Sequence, residues 1–212
     1  KPNIAFYEAY GIKGWQSLEK TINYLNKNYP EIFTIADAKR GDIGNTSTRY
    51  AKAFFSELGA NSITIAPYMG SDAVTPFLAY KGCWTFALAL TSNPGGADLQ
   101  YHGEPPLYMR VIEKARDWAA GQPGHLGFVV GATRAEALAE IRAAAPDAFF
   151  LVPGVGAQGG DLQAVCQHGR NHLGGLLINS SRGIIYAGND EHFAEAAHDA
   201  AKVLVEQMAE WV

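Results

Sequence analysis

Ile35-Ala36-Asp37-Ala38-Lys39-Arg40-Gly41-Asp42-Ile43-Gly44-Asn45-Thr46 is the stretch on which the reading of this chain turns. It continues a short apolar run, Ile32-Phe33-Thr34-Ile35-Ala36, with the length and composition of a β-strand. It closes on Gly44-Asn45-Thr46, where glycine and capping side chains stop a strand and start a helix. Four of the six residues from Asp37 to Asp42 are charged, in a chain that is 18% charged. Side chains alternate along a strand, so Asp37 and Lys39 are predicted on one face, at the strand's exit. A structural ion pair needs one acid and one base. Two of each at a single exit point to chemistry rather than to a solvated loop.

At 212 residues and 48% hydrophobic, the chain can bury a full core as one domain. A net charge of −4 and the lack of a long basic run argue against a nucleic-acid surface. Cys83 and Cys166 make neither a disulfide framework nor a zinc spacing and read as buried thiols. No apolar run of about 18 residues and no signal-peptide pattern occur, so a soluble, cytoplasmic protein is expected. The first residue is Lys1 rather than Met, and it leads into what reads as a strand, Ile4-Ala5-Phe6-Tyr7. An N-terminal piece is therefore expected to be absent from this sequence.

Strand and helix signals then alternate to the end. Strands are predicted at 32–36, 61–68, 84–90, 126–130, 148–152 and 175–179. Helices are predicted at about 15–28, 46–58, 71–80, 106–120, 134–145, 161–168 and 191–211. With the strand at Ile4 this makes seven strand–helix units of roughly 30 residues, and short apolar strands alternating with helices mean a parallel sheet. A doubly wound sheet and an eight-fold barrel both fit. The unbroken composition, and polar or glycine-rich segments after nearly every strand, favour a (β/α)8 TIM barrel. Seven units leave one missing. The expectation is a single barrel domain over 1–212, running from its second strand to its final helix.

Three loops carry further chemistry. Gly154-x-Gly156-x-x-Gly159 matches a dinucleotide fingerprint, yet it comes late in the chain. No acid lies about 20 residues on, where Ile178 and Asn179 fall, to hold a ribose. Its glycines would still let backbone amides approach an anion, aided by the N-terminus of the next helix, which Asp161 caps. Arg182 follows the next strand, and its planar fork suits a phosphate. Together they predict a phosphate monoester. Ser92-Asn93-Pro94-Gly95 is turn chemistry that leaves a strand with Ser92 able to meet a ring amide. His168 and His172 have helical ligand spacing, but Gly169 interrupts the helix and no carboxylate joins them, so no metal is assigned.

Asp37, Lys39, Asp42, Ile43 and Thr46 form Asp-x-Lys-x-x-Asp-Ile-x-x-Thr, which resembles the signature of the orotidine 5'-phosphate decarboxylases. The wording Asp37-Ala38-Lys39-Arg40-Gly41-Asp42-Ile43-Gly44 resembles their bacterial branch. The Ser-Asn-Pro-Gly loop, the Pro-Gly-Val-Gly-Ala-Gln-Gly-Gly loop and Ser181-Arg182-Gly183 follow in that family's order, and Lys1-Pro2-x-Ile-Ala-Phe is similar to its second strand. The resemblance implies a TIM-barrel homodimer that converts orotidine 5'-phosphate to uridine 5'-phosphate without metal or organic cofactor. Lys39 would protonate C6, Asp37 would lie beside the departing carboxylate, and Lys1 would belong to the same charged array. Asp42, Ile43 and Thr46 would reach the partner's site. Ser92 would contact the pyrimidine, Pro153 would line its pocket, and Gln158 and Arg182 would hold the phosphate. The family's first strand ends in a further aspartate, which no residue here supplies. Two other readings share part of the pattern. One is a magnesium-dependent sugar-phosphate synthase or decarboxylase of the same superfamily, and the other is an inactive nucleotide-binding fragment.

Overall fold

The computed structural model describes residues 1–132, 135–155 and 160–211. Its six strands are β1 (Ile35–Arg40), β2 (Ser62–Ile65), β3 (Trp84–Leu90), β4 (His125–Val130), β5 (Phe149–Pro153) and β6 (Leu176–Asn179). They form one sheet in sequence order. Ser62 pairs with Trp84 and Ile65 with Ala87, while Phe150 pairs with Leu176 and Pro153 with Asn179, all in parallel. Parallel neighbours need helical crossovers, which is why strand and helix signals alternate in the sequence. All four residues of β2 are buried, as a strand covered on both faces requires.

Two compact units divide the chain. The first comprises Lys1–Leu88 and Arg110–Phe128. Its helices are α1 (Ile4–Glu8), α2 (Gly11–Asn28), α3 (Gly44–Ala51), α4 (Thr75–Leu78) and most of α5 (Leu107–Ala119). Leu18 and Ile22 of α2, Ile63 and Ile65 of β2, Phe77, Phe86, Ile112 and Phe128 are fully buried there. Fully burying side chains of this size contributes about 1.5–3 kcal/mol each. The second unit comprises Ala89–Met109 and Val129–Val212. It holds α6 (Ala135–Ala144), α7 (Leu162–Gly169), α8 (Arg182–Ile185) and α9 (Phe193–Ala209). Val130, Leu138, Ile141, Phe150, Val152 and Val165 form its core. Arg142 ties that unit together. It donates to the carbonyls of Gly169 (2.7 Å), Ala148 (2.6 Å) and Gly175 (3.1 Å) and lies 3.7 Å over the Phe150 ring. Burial lowers its pKa to about 10.

Several elements differ from the sequence reading. Ile4–Glu8 is a helix rather than a strand, because the Asn3 side chain accepts from the Ala5 N–H and caps it. Only Ile4 of that helix is buried, and Phe6 is 71% exposed. Strand pairing at this end is confined to Asn3, which bridges Asp37, and to Pro2, whose carbonyl accepts from the Asp37 N–H at 3.0 Å. The organising strand runs later than its apolar signal, because pairing with β2 begins only at Ile35 and leaves Ile32 and Phe33 exposed. The helix read at 71–80 splits into a 3-10 turn, Ser71–Ala73, and α4, with Pro76 removing an N–H within the second piece. The helix read at 46–58 starts at Gly44 and continues as a π-helical segment, Lys52–Glu57.

Gly14 sits where α2 crosses α1, and a Cβ there would lie 1.7 Å from the Tyr7 carbonyl oxygen. Gly14→Ala should lower the unfolding free energy by about 1–3 kcal/mol through overpacking. Urea denaturation checks this, and an unchanged midpoint would show that the two helices do not meet so closely.

Candidate active site

β1 does not deliver its charged residues by simple alternation. Its register with β2 jumps from Ala36↔Ile63 to Arg40↔Ile65, so the residues between form a bulge. Within it Lys39 adopts φ +48°, a left-handed conformation that costs a side-chain-bearing residue about 1 kcal/mol or more. The bulge turns the Lys39 side chain back onto Asp37, with Nζ 2.5 Å from Oδ1. Lys1 Nζ donates to the other oxygen, Oδ2. Thr64 Oγ1 donates to Oδ1 at 3.0 Å and accepts from the Lys39 N–H at 2.9 Å. Asp37 thus carries two ammonium groups and a hydroxyl.

Exposure separates the three charges. The side chains of Asp37 and Lys1 are 7% and 12% exposed, whereas that of Lys39 is 47% exposed. Burial alone would raise the Asp37 pKa, but the charges and hydrogen bonds of Lys1 and Lys39 outweigh it and hold the carboxyl below its ordinary 3.8. For Lys1 the balance falls the other way. Burial pushes its ammonium down more than Asp37 pulls it up, and Lys39 adds to the lowering. The arrangement is a fixed negative charge with one sheltered cation and one cation that solvent or a ligand can reach.

Arg40 ties the segment before β1 to the strand. It pairs with Glu8 at the end of α1 and lies over the rings of Tyr50 (5.4 Å) and Phe54 (5.5 Å). That contact fixes α1, and with it the preceding Lys1–Asn3, against β1. Asp42, Ile43 and Thr46 lead into α3. The Asp42 carboxylate accepts from the Ile43 N–H at 2.7 Å, and its carbonyl accepts from Ser47 Oγ. Ile43 is 53% exposed and Thr46 is exposed. Among the described hydrogen bonds and ion pairs, none joins Asp42 to Lys39 or Asp37. The structure brings Lys1, Asp37 and Lys39 together, whereas Asp42 stands apart from them within one chain. Sequence reasoning missed Thr64, Glu8 and the tie formed by Arg40. Ser62-Ile63-Thr64-Ile65 alternates polar and apolar residues in a wholly buried strand, and that was the available signal for Thr64.

The remaining candidates lie in the second unit. Ser92 leaves β3 in a loop held by Gln100, which accepts from the Thr91 N–H and donates to Thr91 Oγ1, both at 2.8 Å. A Cβ at Gly131 would lie 2.7 Å from the Ser92 nitrogen, so the loop packs directly on the backbone after β4. Pro153 ends β5, half-buried. The next residue, Gly154, has φ +94°, a conformation that side-chain-bearing residues rarely adopt, and Gly160 donates to its carbonyl at 3.1 Å. Gln158 lies outside the described residues, as do Gly156 and Gly159. Asp161 caps α7 as expected, accepting from the N–H groups of Gln163 (2.9 Å) and Ala164 (3.3 Å). Arg182 opens α8 and is exposed, and among the described residues no carboxylate pairs with it. His172 lies beyond the end of α7, 3.9 Å from Asp147.

Charged side chains gathered at the exit of a parallel strand, in a sheet built with helical crossovers, define an α/β enzyme. Known proteins narrow this further. Residues 1–197 match the model of the orotidine 5'-phosphate decarboxylase / HUMPS family. Orotidine 5'-phosphate decarboxylase of Flavobacterium johnsoniae is 58% identical over 99% of this chain and 77% of its own length. That of Bacteroides fragilis is 55% identical with the same coverage. The structure of Leishmania donovani OMP decarboxylase superposes with a TM-score of 0.82 at 40% identity, over 97% of this chain and 79% of that one. The chain belongs to the orotidine 5'-phosphate decarboxylase / HUMPS family.

The electrostatics of Asp37 set a pH dependence of stability. A carboxyl whose folded pKa is depressed stabilises the fold above its unfolded pKa, and that contribution is lost as pH falls through the folded value. Asp37→Asn leaves Lys1 and Lys39 facing each other and should cost about 3 kcal/mol at pH 7. The gap to the unsubstituted chain should narrow as pH falls below 3.8, where the unfolded carboxyl takes up its proton before the folded one does. Denaturant melts at pH 7 and pH 3 check it, and a gap of equal size at both would place the cost elsewhere.

Proposed function

We propose that this chain decarboxylates orotidine 5'-phosphate to uridine 5'-phosphate, the reaction named in its relatives, in pyrimidine biosynthesis and without metal or organic cofactor. The observation that carries the mechanism is the unequal exposure of two lysines on one carboxylate. Lys1 is sheltered and keeps Asp37 ionised, whereas Lys39 is accessible and is the proton donor.

Loss of carbon dioxide breaks the bond between C6 and the carboxylate carbon and leaves its electron pair on C6. The Lys39 ammonium stabilises that developing charge and then transfers a proton from Nζ to C6. Water returns the proton to Lys39. Asp37 lies beside the departing carboxylate and keeps Lys39 in place between turnovers. Both of its oxygens are already engaged by lysines, a donor set that suits a cofactor-free reaction better than a cation site.

Further roles follow from the resemblance. Ser92 contacts the pyrimidine, Pro153 lines its pocket, and Gln158 and Arg182 hold the phosphate, whose binding is realised as transition-state stabilisation at a distance from C6. The exposure of Arg182, with no described carboxylate beside it, supports its part. Asp42, Ile43 and Thr46 serve the partner's site in a homodimer, a role supported by the exposure of Ile43 and Thr46. The TIM-barrel architecture, taken as one domain over the chain, belongs to the same proposal and is supported by the superposition on OMP decarboxylase. A cytoplasmic location fits this reaction, and among the described residues no helix is long and apolar enough to cross a membrane.

Orotidine 5'-phosphate added in the presence of chelator should be consumed, with the fall in pyrimidine absorbance that accompanies loss of the carboxylate. Lys39→Ala should reduce kcat by about a thousandfold or more. Activity lost to chelator and restored by magnesium would favour the sugar-phosphate branch, and full activity in Lys39→Ala would remove that residue as the proton donor.

A further inference from the structure

Thr64 on β2 is completely buried and is not among the residues assigned a role above. The bulge in β1 interrupts the backbone ladder between Ala36↔Ile63 and Arg40↔Ile65, so Lys39 lies in a stretch without regular pairing. Its N–H is met by the Thr64 hydroxyl at 2.9 Å, and the same hydroxyl donates its proton to Asp37 Oδ1 at 3.0 Å. The oxygen that receives this proton is also the one that receives Lys39 Nζ, at 2.5 Å. One hydroxyl therefore touches the backbone of one charged residue and the carboxylate of the other. A β-branched side chain is stiff about its first torsion, so the hydroxyl is held in one direction. The left-handed backbone of Lys39 needs such a restraint, because nothing in its own chemistry favours φ +48°.

We propose that Thr64 is a positioning residue for the Lys39–Asp37 pair: its hydroxyl fixes the left-handed backbone of Lys39 and one Asp37 oxygen together, which places the Lys39 ammonium for proton delivery. The kinetic consequence rests on the decarboxylase reading, whereas the restraint on Lys39 does not. Thr64→Val keeps the branching and removes both hydrogen bonds. Thr64→Ser keeps the hydroxyl and restores them. A proton donor displaced by a fraction of an ångström to an ångström loses rate without losing ligand affinity.

The test measures steady-state decarboxylation of orotidine 5'-phosphate, uridine 5'-phosphate affinity and amide hydrogen exchange in the full chain and both variants. Thr64→Val should lower kcat by about 10- to 100-fold. Its KM and its affinity for uridine 5'-phosphate should change by less than about threefold, and Thr64→Ser should recover most of the rate. The Lys39 amide should exchange slowly in the unsubstituted chain and in Thr64→Ser, and quickly in Thr64→Val. Equal losses in the two variants, or a kcat in Thr64→Val within about threefold of the unsubstituted chain, would overturn the proposal. If the unsubstituted chain shows no turnover, the decarboxylase reading fails, and exchange alone decides the role of Thr64. Should Thr64→Val fail to fold, exchange in the unsubstituted chain still decides. A Lys39 amide as labile as an exposed loop amide would refute the restraint.

Discussion

A single buried carboxylate, that of Asp37, is the constraint on which the first unit depends. An isolated carboxylate so sheltered would cost several kcal/mol and would escape by taking up a proton. Two ammonium groups and a hydroxyl remove that option, and each comes from a different stretch of chain. Lys1 precedes α1, Lys39 sits within the β1 bulge, and Thr64 lies in the middle of β2. Satisfying one charge therefore fixes how three segments meet. The Arg40–Glu8 pair works to the same end, tying the end of α1 to the strand. Gly14, which lets α2 approach the Tyr7 carbonyl, completes the support of α1.

This arrangement explains why a strained residue is tolerated at the centre. A left-handed lysine is unfavourable by itself, yet it directs Nζ back onto a carboxylate two residues earlier. Ordinary strand geometry would not achieve that contact so closely. Local strain held by surrounding hydrogen bonds is what a site gains by being built on a strand with fixed neighbours rather than on a free loop. In the proposed reaction, the fixed negative charge keeps the proton donor in place, and the accessible side of Lys39 faces the chemistry.

Much of this was legible in the chain. Strands β2 to β6 follow apolar runs, and the crowding of charge from Asp37 to Asp42 marked the strand on which Asp37 and Lys39 meet. Local pattern was ambiguous where polar contacts override it. Ile4-Ala5-Phe6-Tyr7 reads as a strand by composition, but the Asn3 cap commits it to a helix. The bulge in β1 has no glycine at Lys39 to announce it, so alternation gave the right neighbours for an incomplete reason. In the glycine-rich segment after β5, Gly160 donates to the Gly154 carbonyl, and the Asp161 cap that the sequence announces is present.

The most direct test of the Asp37-centred account is a carbon-13 NMR titration of the Asp37 carboxyl, assigned by its loss in Asp37→Asn. The account predicts a titration midpoint below 3.8, the ordinary value of an aspartate. A carboxyl that titrates at or above its ordinary range would contradict it, because Lys1 and Lys39 would not then be holding the charge.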